Sequence, residues 1–266
     1  MKIVVCLKQV PAKDAPLRLT ADGGGIREDV GYEMNEPDAY ALEEGLRLKE
    51  AGGGEVVALT LGPERAAQVL REALAKGADR ALHLVAPAGA ALDAAATAAA
   101  LCAALQRDSG GGFDLALTGL QSDDMGYAQT GVLLAERLGL PHATIIMQIE
   151  PQPAGGDGAR IKAKRELEGG YFQWLDIPLP AVLTIQSGIN KLRYATLLGI
   201  KQAKNKPLAR IPLEELGVDA GANRQRMLRL FIPQKTKQTV MLEGPAAQIA
   251  GQLFEHLRTA HLLPNS

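Results

Sequence analysis

The chain has 266 residues, which is enough for one α/β domain with an extension or for two small domains. Apolar residues make up 47% and aromatic residues only 4%, so the core must be built from Ala, Leu, Val and Ile, as in parallel sheets covered by helices. The formal net charge of -1 excludes a global field that would attract nucleic acid or a membrane surface.

Apolar periodicity predicts alternating strands and helices from the beginning of the chain. Ile3–Leu7 is the first predicted strand, and a helix is predicted from Asn35-Glu36-Pro37-Asp38 to about Ala51, with Asn35 as its cap. The next predicted elements are a strand Val56–Leu61, a helix Glu64–Lys76, a strand Arg80–Val85, a helix Ala91–Arg107, a strand Asp114–Thr118, a loop Gly119–Gly126 and a helix from about Tyr127 to Leu138. This alternation predicts an α/β fold with a doubly wound, mostly parallel sheet.

The pattern changes after Pro141. Strands are predicted at Ala143–Ile149, Arg160–Lys164 and Ala181–Gln186, the first two separated by a turn at 153–156. Residues 201–266 combine several prolines with few apolar runs, which indicates an extended arm with short helices, one at Ala246–His256. Such an arm buries little surface alone, so we expect it to fold against a partner, with packing on its own domain as the alternative. The predicted division is a nucleotide-binding domain over 1–200 and an arm over 201–266.

Two cysteines, Cys6 and Cys102, form no C-x-x-C pair and are predicted to be reduced core residues. The chain starts directly with a strand and has no apolar stretch long enough to cross a bilayer. These features predict a cytoplasmic protein without a signal peptide or membrane insertion.

In an open parallel sheet, ligands bind beyond the carboxyl ends of the strands. Segments that follow strands here are Cys6–Pro11, Leu61–Pro63 and Gly119–Thr130, and the helix start at Asn35–Asp38 should open on the same side. The third segment reads Gly119, Leu120, Gln121, Ser122, Asp123, Asp124, Met125, Gly126, Tyr127, Ala128, Gln129, Thr130. Unpaired N–H groups at its helix start would attract phosphate. The alternative is an ordinary loop in which Ser122 or Asp123 caps the helix.

Other chemistry has little support in the sequence. It lacks G-x-G-x-x-G after the first strand, the P-loop pattern and G-x-S-x-G. Of the four histidines, only the loosely spaced His256 and His261 lie near each other. We therefore predict neither a catalytic residue nor a metal site.

The segment Ala163–Thr184, AKRELEGGYFQWLDIPLPAVLT, closely resembles the signature of electron-transfer flavoprotein β subunits. That signature has a basic residue, an acidic residue followed by Gly-Gly, and a Pro before an aliphatic strand ending in a small residue. Leu7–Pro11, Gly77–Arg80 and Arg193–Leu197 resemble further motifs of the family. The resemblance covers about residues 1 to 210.

The resemblance implies an adenine nucleotide α-hydrolase-like fold and the small subunit of a heterodimer. In this family the β subunit holds AMP structurally, and the matching positions are Cys6, Asn35, Glu36, Pro37, Asp38, Leu61 and Gly119 to Thr130. FAD is held mainly by the large (α) subunit, and electrons pass from dehydrogenases to a downstream acceptor. The chain is thus expected to be a carrier subunit rather than an enzyme, with no nucleic acid partner.

Two partner contacts are also implied by the resemblance. Glu166 matches a carboxylate that contacts the mobile flavin domain, and Leu197 matches a leucine that anchors dehydrogenases, with a buried loop leucine as the alternative. A basic strip, which comprises Lys191, Arg193, Lys201, Lys204, Lys206 and Arg210, could steer an acidic partner or be a solvated loop.

Two alternatives to this function remain. The first is a bifurcating member of the family, in which a second FAD takes the place of AMP. Gly126 departs from the family pattern, because many members have a carboxylate at this position. Gln129-Thr130-Gly131 resembles the members that hold AMP and therefore favours AMP. The second alternative is a stand-alone nucleotide-binding regulatory module. The long tail argues against it, because such modules usually end near the sheet.

Overall fold

The computed structural model describes residues 1–87, 89–90, 92–108, 112–153, 158–218, 223–234 and 239–263. Three predicted features fall partly outside them: the turn at 153–156, the helix start at 91 and the end of the arm at 264–266. The strands are β1 Lys2–Leu7, β2 Gln9–Pro11, β3 Tyr32–Met34, β4 Glu55–Gly62, β5 Arg80–Val85, β6 Leu115–Gly119, β7 His142–Pro151, β8 Arg160–Glu166, β9 Phe172–Pro178, β10 Ala181–Ile185 and β11 Leu208–Pro212. The helices are α1 Glu36–Gly52, α2 Ala67–Lys76, α3 Ala94–Arg107, α4 Thr130–Leu138, α5 Leu197–Ala203 and α6 Ala246–Thr259.

A nine-stranded sheet has the order β11-β5-β4-β1-β6-β10-β7-β8-β9. Its strands run parallel from β11 to β7, whereas β8 pairs antiparallel with both β7 and β9. The chain proceeds from β1 to β4 and β5 on one side and returns to β6 on the other side of β1. This arrangement confirms the predicted α/β fold and places the reversal of strand order at β1, where open sheets bind ligands.

Helices cover both faces of the sheet. One apolar cluster joins the sheet to α1 and α2, with Ile3, Val5, Leu42, Leu70 and Leu117 among its fully buried members. The other joins the opposite face to α3 and α4 and contains both Cys6 and Cys102 as buried free thiols, as predicted. Because both faces are covered, the central strands are continuous apolar runs rather than alternating ones.

The sheet changes from parallel to antiparallel at β7. A β-bulge interrupts its pairing with β10 on one side and β8 on the other, near Ile146. Ile145 there has a left-handed φ of 60°, which is unusual for a β-branched residue. Beyond the bulge, Ile149, Ile161 and Ile177 remain buried on the face that packs against the core.

The compact unit extends beyond the predicted boundary at residue 200. It comprises Met1–Leu228, and a second, smaller unit comprises Arg229–Ser266. The difference arises because β11 completes the sheet beside β5 and Leu213 is buried next to it. The second unit contains α6, which begins at the predicted Ala246 and continues three residues beyond His256 to Thr259.

Candidate functional site

The buried carboxylate of Asp38 joins three elements at the carboxyl ends of the central strands. Its Oδ2 accepts a hydrogen bond from the Lys8 N–H, just after β1, at 2.7 Å, and its Oδ1 accepts one from the Gly119 N–H, at the end of β6, at 2.8 Å. Burial raises the pKa of Asp38 to about 7, against the lowering effect of these hydrogen bonds. The first turn of α1 is thereby fixed to two adjacent strands.

Asn35 also connects α1 to the loop after β6, and it does not cap its own helix. Its Nδ2 donates to the Gln121 carbonyl at 3.0 Å, and its Oδ1 accepts from the Asp123 N–H at 2.8 Å. The expectation that Asn35 caps α1 is therefore wrong. Asp123 instead accepts a hydrogen bond from the Glu36 N–H at 3.0 Å, so the loop caps the helix in exchange.

Gly119 permits the close approach between β6 and α1. A Cβ at this position would lie 2.5 Å from Asp38 Oδ1 and 2.7 Å from the Pro37 Cβ. Any larger residue would push α1 away from the strand and break the hydrogen bond between Gly119 and Asp38.

The remainder of the loop, from Gln121 to Gln129, is mostly exposed. Lys8 reaches across it, with its Nζ 2.6 Å from Asp124 Oδ1 and 3.3 Å from Ser122 Oγ. Burial raises the pKa of Asp124, but the Lys8 charge and hydrogen bonds outweigh it and hold that pKa below its usual value. Ser122 and Asp123 are thus engaged within the loop and with α1, and neither caps α4.

Helix α4 begins at Thr130, three residues later than predicted. Gly126 and Ala128 have left-handed φ values of 65° and 54°, which interrupt a helix before that point. Gln129 occupies the cap position without a side-chain hydrogen bond to the helix. In the described part of the chain, the first-turn N–H groups of α4 therefore have no capping side chain and remain available to an anion.

A cavity of about 390 Å³ lies beside this helix start. It is lined by Ala128, Gln129, Val132 and Leu133 from the loop and α4, by Asp93, Ala94 and Ala95 at the start of α3, and by Arg224 and Gln225. The amino ends of two helices and an arginine thus surround one space. The sequence analysis predicts α3 but assigns neither its start nor Arg224 to the site. Asp93 before an Ala-rich helix is a visible cap signal, whereas nothing in the sequence links Arg224 to this helix.

Cys6 and Leu61 lie in the cluster beneath α3 and α4, toward the carboxyl ends of β1 and β4. Burial, and next the negative charge of Asp38, raises the pKa of Cys6 to about 12. The thiol is therefore neutral and serves as a packing group. Both side chains can contribute only an apolar surface to a ligand.

The two predicted partner residues lie in different settings. Glu166 ends β8, and its Oε2 accepts a hydrogen bond from Gln186 Nε2 at 3.3 Å. Leu197 begins α5 and is 88% exposed, which excludes the buried-leucine alternative. Tyr194, Leu198 and Ile200 are also exposed, so Leu197 belongs to an apolar patch.

The patch has a rigid base. Arg193 forms ion pairs with Glu43 at 2.7 Å and Glu50 at 2.5 Å, both on α1. A Cβ on Gly199 would lie 2.2 Å from the Ala75 carbonyl oxygen, so α5 packs directly on α2. Half of the basic strip is engaged in such contacts, because Lys206 donates to carbonyls in and just after α2 and Arg210 pairs with Glu64.

The described residues lack two features that would indicate other functions. They contain no cluster of three or more His, Cys, Asp or Glu side chains that could hold a metal ion. Among the same residues, no helix is both long and apolar enough to cross a membrane.

Comparisons with known proteins show to which family the sequence is similar. The sequence model described as "Electron transfer flavoprotein domain" matches residues 24–216. The electron transfer flavoprotein subunit beta of Methylophilus methylotrophus is 39% identical over 96% of this chain and 97% of its own length. The caffeyl-CoA reductase-Etf complex subunit CarD of Acetobacterium woodii is 33% identical, and the acryloyl-CoA reductase electron transfer subunit gamma of Anaerotignum propionicum is 32% identical, each over 99% of this chain and all of its own length.

Proposed function

This chain belongs to the electron transfer flavoprotein family as a β subunit, and from that membership we propose that it holds AMP and helps to position the FAD of a large subunit. β subunits of this family pair with an α subunit and carry electrons. In the proposed heterodimer, electrons pass from dehydrogenases to a downstream acceptor, and the chain has no catalytic residue of its own. We also propose that the heterodimer is cytoplasmic.

The observation that carries the proposal is the convergence of α1, β1 and the 119–130 loop on one rim of the sheet. Asn35 and Asp38 link these elements by hydrogen bonds to the loop and to the strand ends. The donors that remain available there suit a phosphate group, namely the uncapped start of α4 and Arg224. Cys6 and Leu61 supply an apolar surface that suits an adenine ring.

The size of the cavity favours AMP over a second FAD. At about 390 Å³ it lies at the small end of ligand pockets, which span roughly 300–1,000 Å³. Gln129-Thr130-Gly131 favours the same choice. A second FAD, as in bifurcating members, remains the alternative, since two of the similar proteins belong by name to acyl-CoA reductase systems.

The flavin, when bound, supplies the redox chemistry, and this chain supplies position and charge. Glu166 places a carboxylate at the carboxyl end of the sheet, oriented by Gln186. We propose that this charge contacts the flavin-bearing domain of the partner.

Two further surfaces would serve partners. The patch around Leu197 is exposed and mounted on α1 and α2, as a docking hot spot requires. In the arm, Phe231, Ile232, Val240 and Met241 are exposed, and α6 has no buried residue. Such apolar exposure supports the proposal that the arm packs on the large subunit.

The test is co-expression of this chain with the large subunit, followed by quantification of AMP and FAD in the purified complex. One AMP and one FAD per heterodimer are expected. Two FAD and no AMP would replace this ligand assignment with the bifurcating one. A complex without flavin absorbance, or a homodimer that excludes the large subunit, would contradict the electron-carrier function.

A further inference from the structure

Residues 223–225 form part of the wall of the nucleotide cavity although they are distant in sequence from the rest of it. Arg224 and Gln225 line the cavity opposite Gln129 and Val132. They belong to no helix or strand, and both are exposed. Their position therefore depends on contacts with the body of the domain.

Asp93 makes those contacts through its backbone N–H and one of its carboxylate oxygens. Its Oδ2 accepts hydrogen bonds from the N–H groups of Arg224 and of Gln225, the latter at 2.8 Å, and its own N–H donates to Asn223 Oδ1 at 2.9 Å. Its Oδ1 caps α3 by accepting from the Ala96 N–H at 2.8 Å. A single aspartate thus begins one helix of the cavity and holds the opposite wall.

The carboxylate is suited to this double role because it is ionised at neutral pH. Desolvation raises the pKa of Asp93, but the hydrogen bonds from Ala96, Gln225 and Arg224 outweigh it and keep that pKa below its usual value. Hydrogen bonds to a charged acceptor are stronger than those between neutral groups.

We propose that Asp93 is a clasp that holds residues 223–225 against α3 and thereby closes the nucleotide site, so that the nucleotide is released only when the clasp opens. The clasp rests on the proposed function, since it assumes that the cavity holds a nucleotide. It makes Asp93 a positioning residue and places the Arg224 cation beside the phosphate.

The Asp93→Asn variant separates the two tasks of the side chain. The amide keeps one oxygen that can cap α3, but its NH₂ group cannot accept from Arg224 and Gln225. Asn223→Ala is a second variant that weakens the same wall without altering the cap. Asp176→Asn, at the far edge of the sheet, is the control for loss of a carboxylate.

The measurement is the release of radiolabelled AMP from the purified heterodimer during a chase with excess unlabelled AMP. Loss of charge-assisted hydrogen bonds should make release about tenfold faster in Asp93→Asn, with a smaller increase in Asn223→Ala. Asp176→Asn should release AMP at the wild-type rate. Trypsin should also cleave after Arg224 or Arg226 sooner in the two clasp variants.

The outcomes separate the two proposals. A wild-type heterodimer that holds no adenine nucleotide would contradict both the proposed nucleotide binding and the clasp. A wild-type heterodimer that holds AMP, with unchanged release and unchanged cleavage in Asn223→Ala and in any folded Asp93→Asn, would overturn the clasp and leave the proposed function standing.

Discussion

The two ends of the sheet are built from similar charged residues but in opposite ways. At the amino end, charges pair with one another: Arg80 forms ion pairs with Glu55 on the neighbouring strand and with Asp108 after α3, both at 2.7 Å, and Lys2 pairs with Asp108 at 3.0 Å. At the carboxyl end, Asp38 instead accepts hydrogen bonds from the backbone N–H groups of Lys8 and Gly119 and from the Asn35 side chain. Its pKa is raised there, whereas the pKa of Asp108 is lowered by its partners despite its burial.

The difference indicates how the molecule divides stability and function. At the amino end, Arg80, Lys2, Glu55 and Asp108 are engaged with one another in ion pairs. The carboxyl end uses one buried carboxylate to hold loops whose N–H groups and side chains face a cavity. We therefore expect substitutions at the carboxyl end to change both stability and ligand content, and substitutions at the amino end to change stability alone.

The largest effect is expected from Gly119→Ala at the carboxyl end. The added methyl group would collide with Asp38 and Pro37, which should lower the free energy of unfolding by about 3 kcal/mol and abolish nucleotide retention. Urea unfolding and AMP content measure the two effects. Gly52→Ala is the matched control, because nothing lies within 4 Å of that position, and it should behave like the wild type.

Asp38 should give the carboxyl end a characteristic pH dependence. Its pKa is about 7 in the fold and near 3.8 in the unfolded chain, so the fold retains a proton that the unfolded chain releases. The stability contributed by Asp38 is therefore greatest below about pH 4 and falls as pH rises toward about pH 7, by on the order of 2 kcal/mol between about pH 5 and about pH 8. Urea midpoints should show this fall in the wild type and not in Asp38→Asn; parallel pH profiles would contradict it.

A smaller effect is expected from Arg80→Met at the amino end. Loss of the ion pairs with Asp108 and Glu55 should cost about 1 kcal/mol, because the partners are only partly buried. AMP content should not change. Arg107→Met, which removes an exposed pair with Glu215, should have almost no effect on unfolding. A loss of AMP in Arg80→Met would contradict the expectation that substitutions at the amino end change stability alone.

The smallest effect on stability is expected from Leu197→Ala. The side chain is exposed, so the free energy of unfolding should change by less than about 0.5 kcal/mol. Electron transfer from a dehydrogenase should nevertheless slow by about tenfold if Leu197 is a hot spot. Leu17→Ala, at another exposed leucine, controls for the loss of apolar surface. Unchanged transfer in Leu197→Ala would exclude the docking role.

The helices and the longer strands of the first 138 residues could be predicted because their apolar patterns are simple, whereas the short strands β2 and β3 were not predicted. The start of α4 was placed too early, because Tyr127 and Ala128 have ordinary helix-compatible identities and the left-handed φ of Ala128 depends on its surroundings. The role of Asn35 was mistaken for a similar reason. An Asn side chain before a helix can accept a hydrogen bond from the first turn of that helix. The Asn35 side chain instead forms hydrogen bonds with the loop after β6, which is distant in sequence.

The later elements were harder to predict because their pairing is non-local. β11 is a short run that includes an exposed arginine and a proline, and it becomes a strand only because β5 offers a free edge. β9 carries exposed Phe172 and Trp174 beside a Gly-Gly turn and was identified as a family signature rather than as a strand. Of the candidate site, the sequence indicated the loop and the start of α1, whereas the contribution of Arg224 follows only from the folded path of the chain.

The bulge at Ile145 has a consequence for the permitted length of the outer hairpin. A bulge adds one residue to a strand, so removal of that single residue would restore regular alternation and leave Ile149, Ile161 and Ile177 facing the core. Removal of two residues there would instead turn the rest of β7 over and expose these side chains. A one-residue deletion at the bulge should therefore retain the far-ultraviolet circular dichroism of the wild type, whereas a two-residue deletion should fail to fold.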